Sequence, residues 1–350
     1  MNAPSSGARV LAFLVGSACL VVIVAGLQAA QKVLIPVIFA LLLAALAAPA
    51  VAELRKLGVP KSPAIVIVMV LVSVALVAFG ALLADSVARF TGSIPQYQAS
   101  FDALWSQGRE WLMSWGLPES TLDSSTQGLT GGVLLTAVGQ GVGAVVSLLS
   151  NLLVVVITTA FLLLEASDLE HKVAAAFGDD SPAVSGLAAA ASKVQRYLAL
   201  KTVISLLTGA LAGLLCALAG LPFSVLWGLV AFLLNYVPAI GSIVAAGPPV
   251  ALALVALGPG HALAITIGYL AINVGIGNIL DPRLMGRRLG LSPFVVLISL
   301  FFWGFVWGPA GTLLSVPMMV VLKLVLESID STRWVAVLMS SGAEAGEIAS

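Results

Sequence analysis

The sequence predicts an all-α fold, a polytopic transmembrane helical protein with about eight membrane segments. Of the 350 residues, 60% are hydrophobic and 9% are charged, whereas a soluble domain carries about 25% charged residues. Apolar runs of about 20 residues, the length that crosses a bilayer as a helix, recur along the chain. The lipid bilayer is therefore the expected solvent for most of the surface.

The apolar runs follow one another with short polar connections. The first also resembles a secretory signal peptide, but its length and the second run close behind it favour a retained helix. Two runs exceed 30 residues, which is long for one ordinary span. The predicted segments are 10–27, 33–54, 64–84, 143–164, 202–219, 223–257, 262–280 and 294–326.

Basic residues predict the orientation, because cytoplasmic loops are rich in Lys and Arg. With the N- and C-termini in the cytoplasm, only Lys32, Arg89 and Arg109 fall outside. The thirteen basic residues that then lie inside are Arg9, Arg55, Lys56, Lys61, Lys172, Lys193, Arg196, Lys201, Arg283, Arg287, Arg288, Lys323 and Arg333.

The two long runs each contain a predicted helix break, at Pro238 and at Pro309. Proline removes a backbone donor, and the glycines that follow permit a turn. The basic residues require run 223–257 to start and finish outside, and run 294–326 to start and finish inside. This is the pattern of an inverted repeat whose broken helices meet near mid-membrane and form a transport site. Kinked or paired full spans are the alternative.

Candidate site residues lie at the two breaks and on the neighbouring span, where polar groups and freed backbone can bind a solute. Asn273 fits solute contact and interhelical bonding equally well. Asp281 is a candidate for ion coupling, against the alternative of a boundary residue paired with Arg283. The predicted solute-translocation residues are Asn235, Pro238, Gly241, Ser242, Asn273, Asn278, Gly308, Pro309, Gly311 and Thr312.

Signals for other functions are weak. The sequence has no Ser/His/Asp spacing of note, no phosphate loop and no HExxH motif, so neither an enzyme nor a bound cofactor or metal is expected. A net charge of zero provides no field for nucleic acid. The small-xxx-small pairs Gly209/Gly213 and Gly304/Gly308 fit internal helix contacts or a homo-oligomer, and both interpretations stay open.

Three C-terminal motifs resemble the AI-2E family transporters, bacterial inner-membrane proteins named for export of autoinducer-2. They are Pro-Ala-Ile-Gly at 238–241, Asp-Pro-Arg at 281–283 with Leu-Ser-Pro at 291–293, and Gly-Pro-Ala-Gly at 308–311 with Val-Pro at 316–317. Ala239 and Ser242 depart from the family, which often has an aromatic residue and a proline there. The resemblance implies a secondary transporter or exporter of a small polar solute. A sodium/proton antiporter and a non-transporting scaffold or regulator are the alternatives.

The expected organisation follows from these segments. N-terminal spans (1–85) precede an extracytoplasmic amphipathic segment (86–142), whose helix either lies at the membrane interface or packs on neighbouring spans. A span (143–165) and a cytoplasmic helical insert (166–201) lead to a C-terminal transport core (202–330) and a cytoplasmic tail (331–350).

Overall fold

The computed structural model describes residues 6–115, 152–178, 182–238, 240–281, 284, 291–327 and 332–340. Within them the chain is helical apart from turns and one isolated backbone pairing between Leu291 and Ser340. Several sequence predictions fall outside these ranges. They concern the end of the extracytoplasmic segment and the start of the fourth predicted span (116–151), the loop residues 282–283 and the break residue Ala239.

The helices confirm the predicted all-α membrane fold. Six are long and apolar enough to cross a bilayer, and three further apolar helices are shorter. In chain order, the described helices are α1 (Ser6–Ala29), α2 (Gln31–Lys56), α3 (Lys61–Ser114), α4 (Leu152–Phe177), α5 (Pro182–Leu218), α6 (Ser224–Leu234), α7 (Ile240–Leu257), α8 (Pro259–Ile272, continued by a π-helix Asn273–Leu280), α9 (Pro293–Glu327) and α10 (Arg333–Met339).

Helix α3 shows why these segments suit lipid. Ala64, Ile65 and Val68 are buried against α2 and α4. On the outward face, Val66 and Val70 are more than half exposed. A helix that is apolar all round belongs in a membrane or a large protein core, so the exposed face of α3 is a lipid-facing surface.

Helix α3 also continues without a break through the predicted boundary at residue 85. Its 54 residues extend about 80 Å, well beyond the roughly 30 Å of a bilayer core. Val87, Phe90, Ile94 and Tyr97 pack in the same hydrophobic cluster as α6 and α7. Residues 87–97 therefore pack on neighbouring helices, whereas the position of the rest of the segment, at the membrane interface or on neighbouring spans, stays a prediction.

Helices α5 and α8 run antiparallel along their length. Lys201 pairs with Asp281 at one end. Leu215 packs on Gly268, and the Cys216 sulfur lies 4.0 Å from the Tyr269 hydroxyl, near the other end. The intervening residues therefore leave and return at the same end of this helix pair, as the basic residues predict for run 223–257.

Those intervening residues form the first hairpin, made of α6, a turn at 235–239 and α7. Gly209 and Gly213 of α5 lie directly on Gly228 of α6, so closely that a Cβ at Gly209 or Gly228 would overlap backbone atoms. This glycine contact between two helices of one chain resolves the open question about the Gly209/Gly213 pair: it is internal. With 11 residues, α6 is about 16 Å long, too short to cross a bilayer core.

Helix α9 forms the second hairpin. Its backbone leaves the helical region at Gly308, where φ is 61° and ψ is −142°. The Ser299 hydroxyl donates to the Ser315 carbonyl at 2.9 Å, whereas residues 16 positions apart would be about 24 Å apart along a straight helix. The chain therefore reverses at Gly308, and α9 is two packed half-helices rather than one kinked span.

The two hairpins enter the bundle from opposite ends. Phe79 of α3 packs on Phe232 near the tip of the first hairpin, and Phe90 packs on Phe223 at its base. The start of α3, by contrast, packs on the end of α2. The tip of the second hairpin contacts the beginning of α2 and the end of α1. Each tip therefore points towards the end at which the other hairpin has its base.

Candidate functional site

The tip of the first hairpin lies against a buried polar stripe on α5. Tyr197, Lys201, Ser205 and Thr208 follow one another at steps of four, four and three residues, which places them on one face of a helix. All four are buried. Buried polar side chains in an apolar helix need partners, and α6, the turn and α8 provide several of them.

Two hydrogen bonds join the tip to this stripe. The Asn235 amide nitrogen donates to the Ser205 hydroxyl at 3.0 Å. The Tyr236 hydroxyl donates to the Thr202 hydroxyl at 2.8 Å. Both bonds involve uncharged groups, so they hold the tip at a fixed depth along α5 without adding charge to the site.

An ion pair between Lys201 and Asp281 completes the cluster. The Lys201 Nζ lies 3.2 Å from Asp281 Oδ2, and the two side chains are 8% and 22% exposed. Tyr197 lies one turn before Lys201 on the same face of α5. The sequence-based alternative partner for Asp281 was Arg283, which lies outside the described residues; the partner in the structure is Lys201.

The ion pair is packed among neighbouring helices. One turn before Lys201, Tyr197 and Leu198 pack in a cluster with Leu42 and Leu46 of α2. The interpretation of Asp281 as a residue at the membrane boundary stays a prediction. A largely buried ionisable residue in a membrane protein is a functional-site candidate when its partner can be named.

The cluster retains hydrogen-bonding capacity. Within the described residues, Asn235 Oδ1, Asp281 Oδ1 and the Tyr197 hydroxyl have no hydrogen-bond partner. These groups and the ammonium of Lys201 provide donors and acceptors of both kinds. The cluster can therefore bind a small molecule that carries several hydroxyl or carbonyl groups.

The other predicted residues of the first half have structural positions. Pro238 lies in the turn, and a Cβ at Gly241 would overlap the carbonyl oxygen of Leu234, so this glycine permits the close turn. Ser242 makes no side-chain hydrogen bond within the described residues. Asn273 begins the π-helix and Asn278 lies within it; the position of the Asn278 side chain is outside the description.

The second tip has different surroundings. Gly308 makes the reversal, Pro309 is exposed there, and the Thr312 hydroxyl donates back to the Gly308 carbonyl at 3.1 Å. A Cβ at Gly311 would overlap the carbonyl oxygen of Trp303. Among the described residues, no side-chain hydrogen bond or shared hydrophobic cluster joins this tip to the first one.

Sequence reasoning missed Tyr197, Lys201, Thr202, Ser205 and Tyr236. The signal was present: four polar or aromatic residues recur at helical spacing across the boundary at residue 201. That boundary, drawn at the start of a charge-free stretch, divided one continuous helix and assigned Lys201 to a cytoplasmic insert. The antiparallel contact of α5 with α8, which brings Asp281 to Lys201, is not visible in either segment alone.

Comparison with known proteins identifies the family. The model of the AI-2E family transporter matches residues 18–331. The AI-2 transport protein TqsA of Escherichia coli is 36% identical over 321 residues, 92% of this chain and 93% of the relative. The "Putative transport protein YhhT" of the same organism is 34% identical over 347 residues, 98% of both chains. Together with the apolar helices, these matches show that the chain is a multi-pass membrane transporter and belongs to the AI-2E transporter family.

Proposed function

We propose that the protein exports a small, hydroxyl-rich solute of the autoinducer-2 type, and that the solute binds at the tip of the first hairpin. The relative TqsA is named as an AI-2 transport protein. The observation that carries the proposal is the polar cluster of Asn235, Tyr236, Lys201 and Asp281, which lies inside the helical bundle with unused hydrogen-bonding groups.

The tip favours a polar solute for a physical reason. Transfer of a hydroxyl from water into an apolar region without a hydrogen bond costs about 2–7 kcal/mol. The oxygen of Asn235, which has no hydrogen-bond partner among the described residues, and the groups of Tyr197 and Lys201 offer replacement partners inside the bundle. A solute with several hydroxyl groups would exchange its water contacts for these groups as it crosses.

The second tip is proposed to take part in transport as a support. Its predicted residues Gly308, Pro309, Gly311 and Thr312 shape the reversal, and the Trp307 indole donates to the Leu27 carbonyl of α1 at 3.0 Å. A tip held to α1 in this way provides a fixed wall against which other elements can move.

We further propose that the protein lies in the bacterial inner membrane with both termini in the cytoplasm. The thirteen-to-three distribution of basic residues supports this orientation, and so does the antiparallel packing of α5 and α8. With this orientation the first hairpin enters from the periplasmic side and the second from the cytoplasmic side.

The proposal is tested with the purified chain in liposomes that contain autoinducer-2. Efflux should exceed that of protein-free liposomes and should saturate with solute concentration. The Asn235→Leu variant, which removes both polar atoms of this side chain, should lose most of this flux. Gly247→Leu, a change at a position where a Cβ meets no atom within 4 Å, is the matched control and should keep it. Efflux no faster than from protein-free liposomes would refute the proposed solute.

A further inference from the structure

We infer that the Lys201–Asp281 ion pair makes the solute site charge-balanced, so that the transporter accepts uncharged polar solutes and rejects ions. The inference rests on the proposed function, because it takes the tip of the first hairpin as the solute path. It adds the chemical class of the solute and names two residues that determine it.

The charges at the tip cancel locally. Lys201 and Asp281 are in direct contact at 3.2 Å and largely buried. Thr202, Ser205, Asn235 and Tyr236 add only uncharged groups. Other ion pairs that the structure describes, such as Lys56 with Glu53, join exposed side chains. Among the described residues, the tip therefore has polar groups but no unbalanced charge.

An ion and a neutral solute meet different conditions there. An ion that leaves water for a region of low dielectric loses its hydration energy, and only an opposite charge can replace much of it. Each charge of the pair already has its partner, so an entering ion finds no free opposite charge among the residues that the structure describes at the tip. A neutral polyol needs only hydrogen bonds, which the unused groups of Asn235, Tyr197 and Asp281 provide.

Removal of one partner should reverse this selectivity. In Lys201→Met the carboxylate of Asp281 is left alone, and a cation can take the place of the lysine. In Asp281→Asn the ammonium of Lys201 is left alone, and an anion can enter. The double variant Lys201→Met/Asp281→Asn has neither charge, so it should exclude ions as the wild type does.

The experiment measures rubidium and chloride fluxes into liposomes that contain each variant. Wild-type protein should conduct neither ion above the protein-free level. Lys201→Met should raise the rubidium flux at least tenfold and leave the chloride flux unchanged, and Asp281→Asn should do the opposite. The double variant should return both fluxes to wild-type values. Lys56→Met and Glu53→Gln, which change the same charges at the exposed pair, should have no effect.

Two results would overturn the inference. One is wild-type protein that carries rubidium or chloride, a result that needs no variant to fold. The other is a pair of monodisperse single variants with ion fluxes equal to the wild type. Autoinducer-2 efflux, measured in the same liposomes, tests the proposed function separately: its absence refutes that solute, whereas the ion fluxes decide the charge selectivity.

Discussion

The two hairpins share one close glycine contact and differ in almost everything around it. In the first, Gly241 lies against the carbonyl of Leu234; in the second, Gly311 lies against the carbonyl of Trp303. In both, a Cβ on the glycine would overlap that oxygen. The backbone of the two turns differs: the second reverses at Gly308 with a φ of 61°, whereas the described residues of the first turn have no positive φ.

Their surroundings differ in polarity. The first tip meets hydroxyl groups of α5 and an ion pair. The second is packed by Trp303 and Trp307, whose rings lie 4.7 Å apart, and by apolar residues of α1 and α2. The comparison teaches that the turn alone does not mark a binding site; the elements beside it do.

The first prediction tests the glycine contact that the hairpins share. Gly241→Val and Gly311→Val should each destabilise the fold by about 3 kcal/mol, the upper part of the range for overpacking, because the new Cβ overlaps a backbone carbonyl. The measurement is thermal unfolding in detergent. Gly247→Val, where the Cβ meets nothing within 4 Å, is the control for side-chain bulk in a helix.

If Gly311→Val unfolds at the same temperature as Gly247→Val, the chain does not reverse at Gly308. The result does not separate a transporter from a non-transporting scaffold. The overlap with the carbonyl of Trp303 rejects a bulky residue in either case.

The next prediction concerns the ion pair beside the first tip. Lys201→Met or Asp281→Asn should cost about 3–5 kcal/mol, since each leaves a buried charge without its partner. The double variant should recover most of this loss. A double-mutant cycle on the unfolding free energy measures the coupling.

The exposed pair of Lys56 and Glu53 provides the control cycle. Its side chains are about 70% exposed, so solvent screening limits the coupling to about 0–1 kcal/mol. If the coupling between Lys201 and Asp281 is as small as that of the exposed pair, the two side chains are not in contact in the folded protein.

A smaller effect sharpens the difference in function between the tips. Asn235→Ala should lower the transport efficiency for autoinducer-2 about fivefold, because one hydrogen bond to the solute is worth about 1 kcal/mol and 1.4 kcal/mol is a factor of ten. Thr312→Val in the second tip should leave it within about twofold, since its hydroxyl already bonds to the Gly308 carbonyl. Equal losses for the two variants would contradict the assignment.

The last prediction concerns the anchor of the second tip. Trp307→Phe removes the indole donor to the Leu27 carbonyl but keeps an aromatic ring. The unfolding free energy should fall by about 1–3 kcal/mol, the cost of a buried carbonyl left unpaired, with little change in transport. Transport lost without any loss of stability would show that Trp307 contacts the solute.

The sequence was sufficient for the class of fold and the positions of both breaks. Composition and apolar runs identify a membrane protein, and Pro238 and Pro309 mark turns because proline and glycine have local effects on the backbone. The opposed entry of the hairpins was also accessible, because the basic residues impose it.

The site was accessible only in part. Asn235 and Asp281 were among the candidates, but their partners Ser205 and Lys201 come from a different helix. The sequence does not show which charges pair, because it is the antiparallel packing of α5 and α8 that brings Lys201 to Asp281. The expectation of one site shared by both tips has no support in the described contacts, since the second tip is packed by aromatic rings.

Protection of an introduced cysteine by the solute tests most directly whether the first tip alone binds it. Asn235→Cys and Thr312→Cys are compared in a chain whose native cysteines, Cys19 and Cys216, are replaced by alanine. Saturating autoinducer-2 should slow the alkylation of the cysteine at position 235 several-fold and leave position 312 unchanged. Equal protection of both positions, or protection of position 312 alone, would contradict the account.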